Sequence, residues 1–97
     1  MNGVALFPGS FDPFTLGHKY VVDQGLELFD RIVIAIGINK EKHGLMTPEN
    51  RMRLIRDLYR DEPRIEVRIY TELTGAFCRE LGIKTILRGL RNTVDFE

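Results

Sequence analysis

The feature that most constrains this chain lies near its N-terminus. An apolar run, Val4 to Phe7, breaks at Pro8-Gly9, passes through Ser10-Phe11-Asp12-Pro13-Phe14-Thr15-Leu16, and enters a helix-like pattern at Gly17-His18. A short, continuously apolar run suits a strand buried on both faces. The segment from Pro8 to Leu16 suits a backbone-rich loop feeding a helix N-terminus. Such a terminus carries N–H groups without intrahelical partners and the positive end of the helix dipole, so it favours an anion, phosphate above all. His18 falls in the first turn, beside the place a phosphate would take. The stretch points to a nucleotide site at the start of an α/β domain.

The rest of the sequence repeats the strand-then-helix pattern. From Gly17 to Phe29, Val21, Val22, Leu26 and Phe29 recur at helical spacing, with Lys19, Asp23 and Glu27 on the other side. Arg31 opens a second strand, whose β-branched run Ile32 to Ile38 suits the middle of a parallel sheet. Asn39 to Met46 reads as a polar loop. Thr47-Pro48 is a strong helix start, and Met52, Ile55, Leu58 and Tyr59 form an apolar side before Pro63 ends the pattern. Ile65, Val67 and Ile69 alternate with Glu66, Arg68 and Tyr70, which predicts a third strand at a sheet edge with one face in water. Thr74 is expected to cap a short helix carrying Phe77, Cys78 and Leu81, terminated by Gly82. Lys84 to Leu87 is a fourth, short strand running into Arg88-Gly89-Leu90-Arg91.

Strands alternating with helices imply right-handed crossovers and a Rossmann-like parallel sheet of about four strands, with ligands past the strand carboxyl ends. All 97 residues read as a single domain, of a size that buries roughly 60 to 70% of its unfolded surface. With 14 basic and 14 acidic residues the net charge is zero, which argues against nucleic acid or an anionic membrane as partner. The lone Cys78 cannot form an internal disulfide, and there is no signal-like N-terminus and no run of ~20 apolar residues, so a cytoplasmic protein is expected.

Thr15-Leu16-Gly17-His18 matches the T/HxGH signature of the nucleotidyltransferase superfamily. With Pro8-Gly9-Ser10-Phe11-Asp12-Pro13 before it and Arg88-Gly89-Leu90-Arg91 after the fourth strand, the chain resembles the bacterial phosphopantetheine adenylyltransferase family from Val4 to Glu97. The resemblance implies transfer of AMP from ATP to 4'-phosphopantetheine, giving dephospho-coenzyme A and pyrophosphate without a covalent intermediate. It implies Mg2+ arriving with ATP, coenzyme A or dephospho-coenzyme A as product or feedback ligand, and a homo-oligomer, hexameric at full length; no cluster of carboxylates in the sequence suggests a dedicated protein metal cage.

Carried over residue by residue, the resemblance makes His18 and Lys42 catalytic, with Lys42 preferred over its neighbour Lys40. Ser10, Lys42, Leu73, Thr74 and Arg88 would bind the acceptor, Leu73 and Thr74 along the pantetheine arm. Ser10, Phe11, Gly17, His18, Arg88, Gly89 and Arg91 would bind ATP. His43 is read as a solvated loop residue, Cys78 as core, and Asp12 as hydrogen-bonding its own loop's backbone rather than catalytic. Lys42-His43-Gly44-Leu45-Met46 replaces the family's common Lys-x-Pro-Leu-Phe, which predicts a looser loop.

The family continues beyond the position of Glu97 into another helix, a fifth strand and a serine-rich ATP-binding turn. The chain is therefore expected to be a truncated form with little or no turnover and with its fourth strand an unprotected edge. Two other functions fit the motif. One is another nucleotidyltransferase, acting on glycerol phosphate with CTP or on nicotinamide mononucleotide with ATP. The other is a non-catalytic nucleotide- or coenzyme A-binding module.

Overall fold

The computed structural model describes residues 3–41 and 44–89. Lys42, His43 and Arg91 lie outside the described residues. In order, the chain forms β1 (Val4–Gly9), α1 (Leu16–Leu26), β2 (Arg31–Gly37), α2 (Pro48–Leu58), β3 (Ile65–Tyr70), α3 (Thr74–Leu81) and β4 (Thr85–Ile86). The strands pair in parallel in the order β3-β2-β1-β4, a Rossmann-like α/β sheet.

That order decides where the helices go. The chain steps one way from β1 to β2 to β3, then jumps back past both to reach β4. Right-handed crossovers in opposite directions place their helices on opposite faces. The core splits accordingly. Phe7, Val22, Ile32, Ile34, Ile36, Ile55 and Val67 pack with α1 and α2, while Leu6, Val33, Ala35, Tyr70, Phe77 and Cys78 pack with α3. Ile32 to Ile36 of β2 are buried one after another because the pleat sends them alternately into two dry layers.

Among the described residues the sheet edges are β3, as its alternation predicts, and β4. One detail of β3 differs. Tyr70 is buried rather than in water, its ring stacked on Phe77 at 4.6 Å between centroids. The reverse crossover lays α3 over that end of the face, so only the Glu66–Arg68 end stays wet. Helix α3 also starts without a side-chain cap: its N-cap is Leu73, and the Thr74 hydroxyl lies 2.8 Å from the Tyr70 hydroxyl instead. Gly82 ends α3 in the left-handed region, φ 73°, where a Cβ is costly.

Helix α2 starts as its sequence dictates, the Thr47 hydroxyl accepting from the Asn50 N–H at 3.1 Å with proline at the first helical position. Its inward stripe holds three of the four expected residues, Ile55 with Met52 and Tyr59 packed beside it in the core, and differs at the fourth. Arg51 and Ile55 are buried, one turn apart, whereas Leu58 is 47% exposed. An arginine has taken the place of an apolar residue at the end of α2 nearest the loops.

The direction of chain travel reverses between β1 and β4. Loops leaving these neighbours diverge toward opposite faces and open a crevice at the carboxyl end of the sheet. The backbone of Leu87 extends the pairing by one bond, its N–H donating to Leu6 O at 2.8 Å. Arg88 therefore emerges directly at the crevice.

Candidate active site

The crevice is a cleft of about 630 Å3, bounded by the end of β1, the first turn of α1 and the segment after β4. Of the residues singled out from sequence, Phe11, Gly17, His18, Arg88 and Gly89 all line it. Arg88 is exposed, and it is the one charged side chain among the described lining residues apart from the titratable His18. The chain thus brings one guanidinium opposite one helix N-terminus.

His18 is held by a reciprocal cap. Thr15, the N-cap of α1, accepts from the His18 N–H at 3.4 Å, and the Thr15 N–H donates to His18 Nδ1 at 2.9 Å. A backbone N–H can only donate, so Nδ1 is an acceptor and the neutral ring carries its proton on Nε2. Nε2 has no hydrogen-bond partner among the described residues. Three phenylalanines fix the plane of the ring: Phe11 edge-on at 4.9 Å between centroids, Phe14 at 5.3 Å and Phe7 at 6.2 Å. Burial holds the His18 pKa below its ordinary 6.5.

The site therefore presents a neutral N–H donor at pH 7. In nitrogen-detected NMR, His18 is expected as the Nε2–H tautomer, titrating below pH 6.5. Because the folded ring takes its proton later than the unfolded one, the stability tied to this group is present above pH 6.5 and declines as pH falls through that value. A ring protonated on Nδ1 at pH 7 would contradict this geometry.

The same cap sets what remains of the helix end. The Thr15 and His18 N–H groups are used within it, and Lys19 N–H makes the first helical bond to Thr15 O at 3.0 Å. The N–H groups of Leu16 and Gly17 have no partner among the described residues. Gly17 is exposed and lines the cleft.

Phe11 takes part from behind. Its ring is 2% exposed and its φ is +50°, an uncommon conformation for a residue with a Cβ. The side chain is core, so a ligand would meet the backbone of this loop rather than the ring.

Ser10 faces the other way along the rim. It lines a second cleft of about 620 Å3 together with Asp12, Lys40, Gly44 to Pro48 and Arg51. Leu73, 82% exposed, and Thr74 stand at the start of α3 and line neither cleft. The carboxyl rim therefore carries two adjoining clefts divided by the 9–12 loop.

Asp12 serves a different purpose from the one its sequence neighbours imply. It accepts from the N–H groups of Leu45, at 2.7 Å, and Met46, at 2.8 Å, and so ties down a distant loop rather than its own. The described part of the loop expected to be loose, Gly44 to Met46, is pinned. Sequence reasoning also missed Thr15 as the residue that orients His18, and Arg51 altogether. A capping pattern could have flagged Thr15, but nothing local separates Arg51 from Arg53 or Arg56. Among the described residues no three His, Cys, Asp or Glu side chains are grouped to hold a metal ion, and no helix is long and apolar enough to cross a membrane.

The chain is similar to several phosphopantetheine adenylyltransferases. That of Flavobacterium psychrophilum is 50% identical over 93 residues, covering 96% of this chain and 62% of the relative. That of Bacteroides fragilis is 48% identical over 93 residues, covering 96% and 62%. That of Anaeromyxobacter sp. strain K is 44% identical over 97 residues, covering the whole chain and 59% of the relative. The chain thus spans about three fifths of the length of these relatives. The cytidylyltransferase-like family model matches residues 6–97. Since that match begins within β1 and continues past β4, it takes in both walls of the crevice, and the chain belongs to the cytidylyltransferase-like family.

Proposed function

We propose that this chain carries the phosphate-handling side of a phosphopantetheine adenylyltransferase. In this reading a phosphate oxygen of 4'-phosphopantetheine attacks the α-phosphorus of ATP, the bond to the bridging oxygen breaks, and pyrophosphate leaves with that electron pair. The observation that carries the reading is the neutral Nε2–H edge of His18, held at the open N-terminus of α1 in a cleft it shares with Arg88. Donors of this kind stabilise charge that builds on a phosphoryl group without forming a bond to it. The names of the relatives supply the acceptor.

The roles of Gly17, His18, Phe11, Gly89, Ser10 and Arg88 rest on their places in the two clefts, and those of Leu73, Thr74, Lys42 and Arg91 on the sequence resemblance. Gly17, His18, the Phe11 backbone and Gly89 would receive the ATP phosphates, with Arg91 added from sequence. Ser10 and Arg88 would hold the acceptor phosphate, with Lys42 added from sequence, and Leu73 and Thr74 would meet the pantetheine arm. Mg2+ would travel with the triphosphate: the N–H, imidazole and guanidinium groups of the first cleft suit phosphate oxygens, not a cation.

Pyrophosphate release tests the proposal, with ATP or CTP against 4'-phosphopantetheine, glycerol phosphate and nicotinamide mononucleotide. The assay is run on a chain continued to its relatives' length, beside calorimetry on the 97-residue chain. ATP with 4'-phosphopantetheine is expected to be preferred. A preference for CTP would remove this reading, and binding without turnover in the longer chain would leave a binding module.

A further inference from the structure

We propose that Asp12 and Arg51 are positioning residues for the acceptor side of the site, locking the Ser10 loop and the Gly44–Met46 segment into one wall of the second cleft. The functional half of this proposal rests on the adenylyltransferase reading above. The structural half rests on the geometry alone.

Arg51 is 8% exposed, the one buried charged residue among those described. Its Nε donates to Met46 O at 2.9 Å, one terminal nitrogen donates to Ser10 O at 3.2 Å, and the other lies 3.4 Å from Asp12 Oδ2. Asp12 closes the ring through the Leu45 and Met46 N–H groups. Two loops and the start of α2, up to 41 residues apart in sequence, meet at one guanidinium–carboxylate pair. The fit leaves no room for a side chain at position 44: a Cβ on Gly44 would collide with both the Asp12 carboxylate and the Arg51 guanidinium.

A buried ion pair of this kind is a poor way to gain stability. Removing two charges from water costs several kcal/mol per ion, and a packed apolar pair often does as well. What an apolar pair cannot do is fix the direction of peptides. A guanidinium is planar and forked, so it reads two carbonyls and a carboxylate in one plane. By taking Ser10 O it sets the Ser10 peptide, and with Asp12 it sets the segment that begins two residues after Lys42. Each of its three nitrogens meets a protein oxygen, Met46 O, Ser10 O or Asp12 Oδ2, so Arg51 is assigned to holding the loops.

The test uses the 97-residue chain, Arg51→Lys, which keeps the charge and loses the fork, Asp12→Glu, which moves the carboxylate, and Arg53→Lys as the exposed control. Amide exchange is followed by NMR, and binding of 4'-phosphopantetheine and of Mg–ATP by calorimetry. In either clamp variant, Leu45, Met46, Ser10 and Phe11 amides are expected to exchange about 10-fold faster. Affinity for 4'-phosphopantetheine should fall about 10-fold while that for Mg–ATP stays within about twofold, and Arg53→Lys should change neither. Equal losses for both ligands would mark a general loss of structure and overturn the proposal, as would faster exchange with unchanged acceptor affinity. If Arg51→Lys does not fold, Asp12→Glu decides by the same criteria. If the parent chain binds neither ligand, the functional reading falls, and exchange decides the clamp: acceleration in both loops upholds the coupling, and acceleration confined to Leu45 and Met46 refutes it.

Discussion

Replacing His18 by alanine is expected to slow adenylyl transfer by about 10²-fold or more in a chain continued to its relatives' length, with ATP affinity within a few-fold of the parent. The reasoning is differential. A neutral N–H donor gains little from a resting phosphate already hydrated and magnesium-bound, and gains most when charge accumulates on the oxygens of the α-phosphate. The loss should therefore appear in kcat and not in KM. His18→Gln keeps an N–H donor and should recover some of the rate, but only part, because its floppier stem lacks the hold of Thr15 and the three phenylalanines. Thermal melting run alongside separates catalysis from the loss of the cap. A fall of less than about threefold in kcat would remove His18 from the transition state.

The largest effect on stability is expected at Ile34. This residue is fully buried at the middle of β2, opposite Phe7 on one side and Val67 on the other, and all three belong to the layer under α1 and α2. Ile34→Ala should cost about 2 to 5 kcal/mol, lost transfer energy plus a cavity that neighbours in paired strands cannot close. For a domain of this size that is a fall of roughly 10 to 30 °C in Tm. Ile34→Val should cost about 0.5 to 1.5 kcal/mol. Equal costs for the two would mean that the sheet relaxes into the space, contrary to the packing described.

How far the sequence could be read depends on how local each cause was. The run Ile32 to Ile36 announces a strand buried on both faces, and Pro8-Gly9 to His18 announces the strand–loop–helix turn, because each is written in adjacent residues. The same holds for Thr47-Pro48 and Gly82. Tyr70 is different. Its alternation with Ile69 places it correctly on the face opposite Val67, but whether that face is wet depends on where α3 returns. Thr74 looks like a cap and is diverted to Tyr70 by that same return.

The clamp lay furthest from view. Asp12 between Phe11 and Pro13 resembles a loop residue satisfying itself, and its actual partners are 33 and 34 residues away. Arg51 is one of several arginines on α2, and only the tertiary structure singles it out. The motif located the histidine; the fold supplied the reason its ring is neutral and aimed.

The cap at the start of α1 has one more consequence. By using the Thr15 and His18 N–H groups internally, it leaves the Leu16 and Gly17 N–H groups and His18 Nε2–H without a partner among the described residues, three donors with no formal charge among them. Uncharged donors select by direction and are little weakened by salt, whereas the contribution of exposed Arg88 should fade as ionic strength rises. On the proposed reading, this division of labour also bears on affinity. With Arg88 on the acceptor phosphate, salt should loosen the hold on 4'-phosphopantetheine while leaving the grip on the adenylyl phosphate almost unchanged.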